Sequence, residues 1–349
     1  MKLTAMSNPA PQDNVILADV VYRGGLNRKY LRPQDLRRLS HADFSSRRAI
    51  EGLYSGRHKT FQRGQSIEFR DYRQYLPGDE INHIDWKVFG RTDKLFIKLF
   101  EHQADLNVHL LVDGSNSMFF TGFDRGQQES KLDCSCRMAA AIGFLVTKQH
   151  DLFSFAFAQD GLSRFQRPAS NIRHLMQVLD VMESVRAVVN AQLPDAISSL
   201  IQHSRKRDLL CVFSDLLDDQ TELLKKFSVW LQRGGEIIVF HVLHNHEIEL
   251  PEDLGAAMFI DSESRESTRA DTPAIRKNYR DKMKNFVADW GAQCRKLGVD
   301  YNLVKVQDSY IDILQKYFAK RQDRLSARTR SANLKNESDS ADSPYMITE

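Results

Sequence analysis

The sequence predicts an α/β protein with a doubly wound, mainly parallel sheet and helices on both faces. From Leu106 onward, short apolar runs alternate with longer amphipathic stretches, as strands and helices do in such proteins. One apolar run leads into Asp113-Gly114-Ser115-Asn116-Ser117, and another leads into Ser214-Asp215. Because ligands of open α/β sheets bind at the carboxyl ends of the strands, these two loops mark the expected functional site.

Six apolar runs have the length and composition of strands, and six stretches have helical spacing. The predicted strands are Val108–Val112, Leu152–Phe157, Leu209–Phe213, Ile237–Leu243, Ala257–Ile260 and Tyr301–Val306. The predicted helices are Lys131–His150, Ile172–Val185, Ala196–His203, Thr221–Arg233, Pro273–Leu297 and Ser309–Phe318. Met138, Ile142 and Leu145 share one face of the first helix. Gly298 follows a helix end, where a left-handed residue is favoured.

The chain divides into four predicted regions. Residues 1–20 are a flexible leader, 21–103 an N-terminal segment, 104–321 the α/β domain and 322–349 a disordered tail that is poor in large apolar groups. In the N-terminal segment, Pro33 opens a short helix, and Ser66–Tyr72 and Lys94–Phe100 alternate apolar with charged residues, as half-exposed strands do. Trp86 is predicted to anchor this segment in the core, so Trp86→Ala is expected to cost roughly 3–5 kcal/mol of stability.

Composition limits the classes of function. The 349 residues are 42% hydrophobic and 27% charged, ordinary values for a globular protein. No apolar stretch approaches the roughly 18–20 residues of a membrane helix, and no signal-peptide pattern opens the chain. The four scattered cysteines are predicted to be reduced thiols. These features predict a cytoplasmic protein without a membrane span.

Charge is distributed unevenly along the chain. The formal net charge is +3, yet residues 23–101 contain 17 Lys and Arg against 10 Asp and Glu. A basic region of this kind can bind nucleic acid or an acidic protein surface. Without an RNA-binding aromatic signature, a zinc finger or a helix-turn-helix pattern, nucleic-acid binding remains a minor alternative, testable by its salt dependence.

The loop after the first predicted strand offers metal-binding chemistry. Asp113, Ser115 and Ser117 supply three hard oxygen ligands at alternating positions, the type that Mg²⁺ or Mn²⁺ takes when it keeps several waters. An open coordination position on such an ion can accept an acidic group of a partner. The alternative interpretation is that Asp and Ser simply begin a helix after a strand.

A longer set of residues resembles a known family, the bacterial domain of unknown function 58 family, which carries a von Willebrand factor A-like domain. The resemblance extends from about Arg23 to Arg321, and the matching residues include Gly56, His58, Arg63, Gly64, Glu68, Phe69, Asp71, Arg91, Asp113, Ser115, Ser117 and Met118. The most specific block is Arg73, Tyr75, Pro77, Gly78, Asp79, Ile84, Asp85, Trp86 and Lys87. The resemblance implies a metal-ion-dependent adhesion site at Asp113, Ser115, Ser117 and Asp215. It also implies an adaptor or co-chaperone that works with a MoxR-type AAA+ ATPase and its clients.

Some positions depart from the family pattern. Where the family has a threonine before a helix, this chain has Gln192-Leu193-Pro194-Asp195-Ala196, and Pro194 has no hydroxyl. A water or Asp195 would have to replace the missing ligand, so Mg²⁺ or Mn²⁺ binding is expected to be weak. Asn82 replaces the arginine expected after the Pro-Gly-Asp turn, and Gly90-Arg91 replaces Ala-Arg.

The predicted function is binding without catalysis. The chain has no phosphate-binding glycine loop, no Gly-x-Ser-x-Gly elbow and no His-Glu-x-x-His pattern. An alternative is a metal-dependent hydrolase that uses Asp113 and Asp215, which would require a general base beside them. Met118, Phe119 and Phe120 are either an apolar surround for the partner contact or part of the core.

Overall fold

The computed structural model describes residues 28–39, 67–74, 86–92, 95–102, 106–123, 129–187, 191–252, 254–260, 267–321 and 323. The contacts divide the described chain into two units. One unit contains residues 28–39 and 106–321, and the other contains 67–74, 86–92, 95–102 and 323. The predicted leader (1–20) and the predicted tail (322–349), apart from residue 323, lie outside the described residues.

The smaller unit contains a two-stranded antiparallel hairpin. Its strands are β1 (Ile67–Gln74) and β2 (Phe96–His102), as the alternating pattern predicted. Two short helices belong to this part of the sequence. The first, α1 (Pro33–Leu39), precedes both strands, and the second, α2 (Trp86–Thr92), lies between them in sequence. The Trp86 side chain is 60% exposed and packs edge-on against Phe89, with 6.1 Å between ring centres.

Trp86 is therefore not a buried anchor, and this prediction is wrong. Trp86 begins a helix of seven residues, and that helix leaves more than half of the indole in solvent. The predicted cost of roughly 3–5 kcal/mol for Trp86→Ala applies to a buried aromatic side chain, so it does not apply to this exposed one.

The larger unit is built on a six-stranded sheet with helices on both faces. Its elements, in chain order with two strands outside the sheet, are β3 (Asn107–Asp113), α3 (Lys131–Lys148), β4 (Leu152–Ala158), β5 (Leu162–Ala169), α4 (Ile172–Glu183), α5 (Leu193–His203), β6 (Leu209–Ser214), α6 (Gln220–Gln232), β7 (Glu236–Leu243), α7 (Asn245–Ile248), β8 (Ala256–Ile260), β9 (Ser267–Asp271), α8 (Thr272–Leu297), β10 (Asp300–Lys305) and α9 (310–321).

The strand order confirms the predicted fold class. The order is β10-β7-β6-β3-β4-β5, and every neighbouring pair is parallel except β4 and β5. Strands that run parallel need helical crossovers, which explains the alternation of strand and helix patterns in the sequence. The carboxyl ends of β3, β6 and β7 consequently lie side by side at one edge.

Two apolar layers enclose the sheet. On β3, Val108, Leu110 and Val112 face one layer, whereas Leu111 faces the other. The first layer is completed mainly by α3, α4 and α9, and the second by α5, α6 and α8. Since an interior strand of a parallel sheet is covered on both faces, its sequence is almost continuously apolar, as the sequence LLCVFS of β6 shows.

Three strands differ from the sequence prediction: β8 has a different pairing, and β5 and β9 were not predicted. Ala257–Ile260 was predicted among the strands of the parallel sheet, but β8 instead pairs antiparallel with β9 in a separate hairpin. The edge strand β5 was not predicted, because its sequence LSRFQRPA has neither an apolar run nor strict alternation. Edge strands are covered on fewer sides, so their sequences are less constrained to be apolar.

Residues 28–39 pack on the α/β unit, although the sequence grouped them with the N-terminal segment. Tyr30 and Leu31 are buried in the first apolar layer. The Tyr30 hydroxyl donates to Asp133 on α3 at 2.9 Å, and Arg28 forms an ion pair with Glu183 on α4 at 3.0 Å. These contacts attach the stretch to the helices on one face of the sheet.

The sequence composition also led to expectations about membrane helices and cysteines, which can be compared with the described residues. No described helix is long and apolar enough to cross a membrane. The four cysteines are unpaired and buried, and burial raises the pKa values of all four thiols.

Candidate functional site

Two carboxylates meet at the carboxyl edge of the sheet, where β3 and β6 end side by side. Asp113 is the last residue of β3, and Asp215 directly follows β6. The Asp113 carboxylate accepts hydrogen bonds from the backbone N–H of Ser115 at 2.9 Å and from the hydroxyl of Ser214 at 2.6 Å. The end of β6 therefore holds the carboxylate of β3 in position.

The two serines of the first loop connect these carboxylates. A short 3-10 helix, Asn116–Phe119, begins after Ser115. The hydroxyl oxygens of Ser115 and Ser117 lie 2.9 Å apart, and the Ser117 hydroxyl donates to Asp215 Oδ2 at 2.7 Å. All four predicted ligand residues are thus brought together, and the most exposed of them, Ser117, is only 7% exposed.

A buried lysine outside the predicted site joins these residues. Lys131 is the first residue of α3, and its side chain is fully buried. Its ammonium donates to Asp215 Oδ2 at 2.7 Å and to Glu247 Oε1 at 2.6 Å. Lys131 therefore connects the loop after β6 to the segment after β7. We call the following six residues the edge cluster: Asp113, Ser115, Ser117, Lys131, Asp215 and Glu247.

Glu247 is itself fixed by the backbone. It lies in the short helix α7, whose N-cap residue is His244. The second Glu247 oxygen, Oε2, accepts from the backbone N–H of His244 at 2.9 Å. The capping interaction and the bond to Lys131 together use both oxygens of this carboxylate, so it has a defined orientation.

Burial determines the charge balance of the edge cluster. Burial raises the pKa of Asp113 to about 7, and the negative charge of Asp215 adds to the shift. Burial also raises the pKa of Glu247, against the attraction of Lys131. Burial lowers the pKa of Lys131, but attraction to Asp215 and Glu247 outweighs it and raises that pKa overall, so the ammonium stays charged. The ammonium thus contacts two of the three buried carboxyl groups of the cluster, those of Asp215 and Glu247.

The donor set does not suit the Mg²⁺ or Mn²⁺ ion that the resemblance implies. Asp215 Oδ2 accepts from both Lys131 and Ser117, so the lone pairs of this oxygen are already used. A divalent cation at this oxygen would also be repelled by the adjacent ammonium. In the part of the chain that the structure describes, no group of three or more His, Cys, Asp or Glu is placed to hold a metal.

The loop that lacks the family threonine does not compensate for it. Pro194 lies in the first turn of α5, and the residue at its N-cap, Gln192, is left-handed with φ 49°. Asp195 is exposed in that first turn. The loop is held instead by Asp218, whose carboxylate accepts from the backbone N–H of Leu193 at 3.0 Å.

Exposed apolar side chains lie in the loops that carry or adjoin the edge cluster. Leu217, in the loop after β6, is 56% exposed, and Phe123 is 39% exposed. Phe123 packs edge-on against the partly buried Phe120, with 5.2 Å between ring centres. Phe119 is also partly buried, whereas Met118 is fully buried in the core. Of the three apolar residues after Ser117, one is therefore core and two are intermediate.

A second buried polar group lies near the amino end of β3, and no sequence motif revealed it. His109 Nε2 lies 2.7 Å from Asp208 Oδ2, and its Nδ1 lies 2.6 Å from the Ser154 hydroxyl. The Asn107 side-chain amide donates to the same Asp208 oxygen at 2.7 Å. We call Asn107, His109, Ser154 and Asp208 the amino-end cluster.

The amino-end cluster has the residue types of a catalytic triad but not the accessibility. Asp208, its most exposed member, is 5% exposed, and His109 and Ser154 are at most 1% exposed. His109 also packs edge-on against Trp230 of α6, 5.5 Å between ring centres. A nucleophile enclosed in this way has no path to a substrate, so we assign the cluster a structural role.

The predicted motif of the N-terminal segment is described only in part. Arg73 lies in β1, and Arg91 is exposed in α2 together with Trp86. The other motif residues lie outside the described part of the chain: Tyr75, Pro77, Gly78, Asp79 and Asp85.

Comparisons with known proteins agree with the family resemblance. A family model described as protein of unknown function DUF58 matches residues 71–288, more than half of the chain. Uncharacterized proteins of Mycobacterium tuberculosis (strain ATCC 25618 / H37Rv) and Mycobacterium bovis are 26% identical over 226 residues, 64% of this chain and 69% of theirs.

Two solved structures are similar at low sequence identity. The conserved hypothetical protein BatB from Bacteroides thetaiotaomicron is 13% identical with a TM-score of 0.42, covering 64% of this chain and 99% of that one. The SpRpn10 VWA domain is 10% identical with a TM-score of 0.35, covering 60% of this chain and 94% of that one. We base the fold on the sheet order itself rather than on these similarities.

Proposed function

Because the chain belongs to the family described as protein of unknown function DUF58 and has a von Willebrand A-like sheet, we propose that it is a non-enzymatic protein-interaction adaptor. The observation that carries this proposal is an exposed apolar residue, Leu217, held outward by the edge cluster. Exposed large apolar side chains on a fixed loop are typical anchors for partner proteins.

The loop that carries Leu217 is fixed by hydrogen bonds to buried side chains. The Leu216 backbone N–H donates to the Ser214 hydroxyl at 2.9 Å, and the Leu217 backbone N–H donates to Asp215 Oδ1 at 3.4 Å. Leu216 is left-handed at φ 56° and its side chain is buried, so the next side chain points to solvent. A loop that is ordered before binding loses less conformational entropy when a partner docks.

We place the partner contact on the exposed apolar side chains of these loops, chiefly Leu217, rather than inside the edge cluster. The hydroxyl of Ser117 and the ammonium of Lys131 already donate to carboxylates of the cluster. An acidic group of a partner would therefore be repelled by the buried carboxylates. Leu217 and Phe123 offer exposed apolar side chains, whose contact with a partner involves no such repulsion.

The proposed partner is a MoxR-type AAA+ ATPase or one of its clients, as the family resemblance implies, with the protein acting in the cytoplasm. A purely binding role agrees with the burial and hydrogen bonding of Asp113 and Asp215, which supports a structural rather than a hydrolytic use of these carboxylates. The basic N-terminal segment leaves nucleic-acid binding as an alternative, and a steep salt dependence of affinity would favour it.

Capture of a purified MoxR-type AAA+ ATPase by the immobilised chain tests the proposal. Leu217→Glu is expected to reduce capture at least tenfold, because it puts a charge into an apolar contact. The matched control is Val229→Glu, which introduces the same charge at an exposed position of α6, 43% exposed, and is expected to leave capture unchanged. Equal capture by both variants would move the interface elsewhere, and no capture by the wild type would refute the proposed partner.

A further inference from the structure

Lys131 occupies a position that is unfavourable for a lysine on two counts. A lysine is almost never fully buried unless it is paired, and this side chain has no exposed surface. It is also the first residue of α3, where the helix dipole disfavours positive charge. Both costs are offset by Asp215 and Glu247, whose carboxylates lie 2.7 and 2.6 Å from the ammonium.

The bonding pattern of the edge cluster is that of a site whose cation is already present. In a metal site, the carboxylate oxygens would direct lone pairs at the ion. In this chain Asp215 Oδ2 accepts from the Lys131 ammonium and from the Ser117 hydroxyl, each at 2.7 Å, so the lone pairs of this oxygen are already used. The loop with Pro194 supplies no hydroxyl at the family position, whereas Glu247 supplies a carboxylate directed at Lys131.

We infer that the Lys131 ammonium is the resident cation of this site and replaces the divalent ion that the family resemblance implies. The ammonium joins the loop after β6 to the segment after β7, which are separated in sequence by α6 and β7. The inference is independent of the proposed function, because its test needs no partner protein.

A consequence of the inference is that removal of the lysine creates a metal site. Lys131→Ala leaves the carboxylates of Asp215 and Glu247 facing one another across the space that the ammonium filled. Two carboxylates with a nearby hydroxyl, that of Ser117, form an oxygen set that Mn²⁺ accepts. The lost positive charge also leaves the buried carboxylates uncompensated, which favours a divalent cation.

Titration with Mn²⁺, followed by the electron paramagnetic resonance signal of free Mn²⁺, tests the inference. The wild type is expected to show no stoichiometric binding up to about 1 mM, the weak end of the range for such oxygen sites. Lys131→Ala is expected to bind one Mn²⁺ at least tenfold more tightly than the wild type, and Mn²⁺ should raise its thermal midpoint. The matched control is Lys148→Ala, at the exposed end of the same helix, which should behave as the wild type.

The wild-type titration decides the question even where Lys131→Ala does not fold. One Mn²⁺ bound per wild-type chain, with an affinity that Asp113→Asn weakens tenfold or more, overturns the inference. A folded Lys131→Ala variant that binds Mn²⁺ no better than the wild type overturns it as well. Absence of stoichiometric binding to the wild type, at a pH where Lys131 is charged, is the supporting result.

Discussion

β3 has a buried polar cluster near each end, and the two clusters differ in composition and surroundings. In the amino-end cluster, both ring nitrogens of His109 have partners, Asp208 and Ser154, and Asn107 shares the same Asp208 oxygen. In the edge cluster, one ammonium contacts two carboxylates, those of Asp215 and Glu247, and both are in segments that follow strands.

The difference shows that residue types alone do not identify a functional site. The amino-end cluster contains serine, histidine and aspartate, yet its serine and histidine lie within strands that are covered by helices on both faces. The edge cluster determines the shape of loops at the sheet edge, including the loop that exposes Leu217. Surface loops on a rigid scaffold are where binding residues concentrate, so the edge cluster is the better candidate.

The largest expected effect concerns the amino-end cluster. Asp208 Oδ2 accepts from Asn107, from the backbone N–H of Arg205 at 2.7 Å, and lies 2.7 Å from His109. Asp208→Ala is expected to lower the free energy of unfolding by about 3–5 kcal/mol, since each buried group left unsatisfied costs about 1–3 kcal/mol. Urea denaturation measures this change.

A control variant separates burial from charge. Asp195→Ala removes an exposed carboxylate and is expected to change the free energy of unfolding by at most about 0.5 kcal/mol. If Asp208→Ala costs no more than this control, the amino-end cluster does not have the structural role assigned to it.

A pH dependence of stability is expected from a second buried histidine, His241 of β7. Its Nδ1 lies 2.6 Å from the Tyr301 hydroxyl, and its Nε2 has no hydrogen-bond partner among the described residues. Burial lowers the pKa of His241 to about 4. The stability that the neutral imidazole contributes is therefore complete above about pH 6.5, where the unfolded chain is also neutral, and is lost as the pH falls to about 4.

The expected size of this loss is about 3 kcal/mol, at 1.36 kcal/mol for each pH unit between the two pKa values. His241→Leu should remove that share of the acid sensitivity, measured as the difference in urea stability between about pH 7 and about pH 4. His203→Gln, at an exposed histidine at the end of α5, is the control and should leave the wild-type pH profile unchanged. An unaltered profile in His241→Leu would contradict the assigned pKa.

The sequence predicted most of the sheet because parallel strands are covered on both faces. The apolar runs of β3, β6 and β7 correspond to buried strands, whereas β5 has no such run. The prediction for Trp86 failed because hydrophobicity alone does not specify a burial partner, and the helix that contains Trp86 leaves it 60% exposed.

The site was predictable in part. Asp113, Ser115 and Ser117 share one loop and form a recognisable pattern, but Glu247 lies far away in sequence and only the fold brings it close. Lys131 did carry a signal. It lies seven residues before Met138, on the face that continues through Ile142, so helical spacing predicts a buried lysine that must have an acidic partner.

The smallest expected effect comes from a matched pair of serine substitutions, one in each cluster. Ser117→Ala and Ser154→Ala each remove one buried hydroxyl, so each is expected to lower the free energy of unfolding by about 1–2 kcal/mol, and the two values should differ by less than about 1 kcal/mol.

The effects of these two substitutions on capture of the MoxR-type ATPase should differ. Ser117 donates to Asp215, which also holds the Leu217 loop, so Ser117→Ala is expected to weaken capture roughly 2- to 30-fold, corresponding to a coupling of about 0.5–2 kcal/mol. Ser154 contacts only His109 in the amino-end cluster, so Ser154→Ala should leave capture unchanged. Because both variants lose similar stability, equal capture by the two would show that the edge cluster does not position the contact surface.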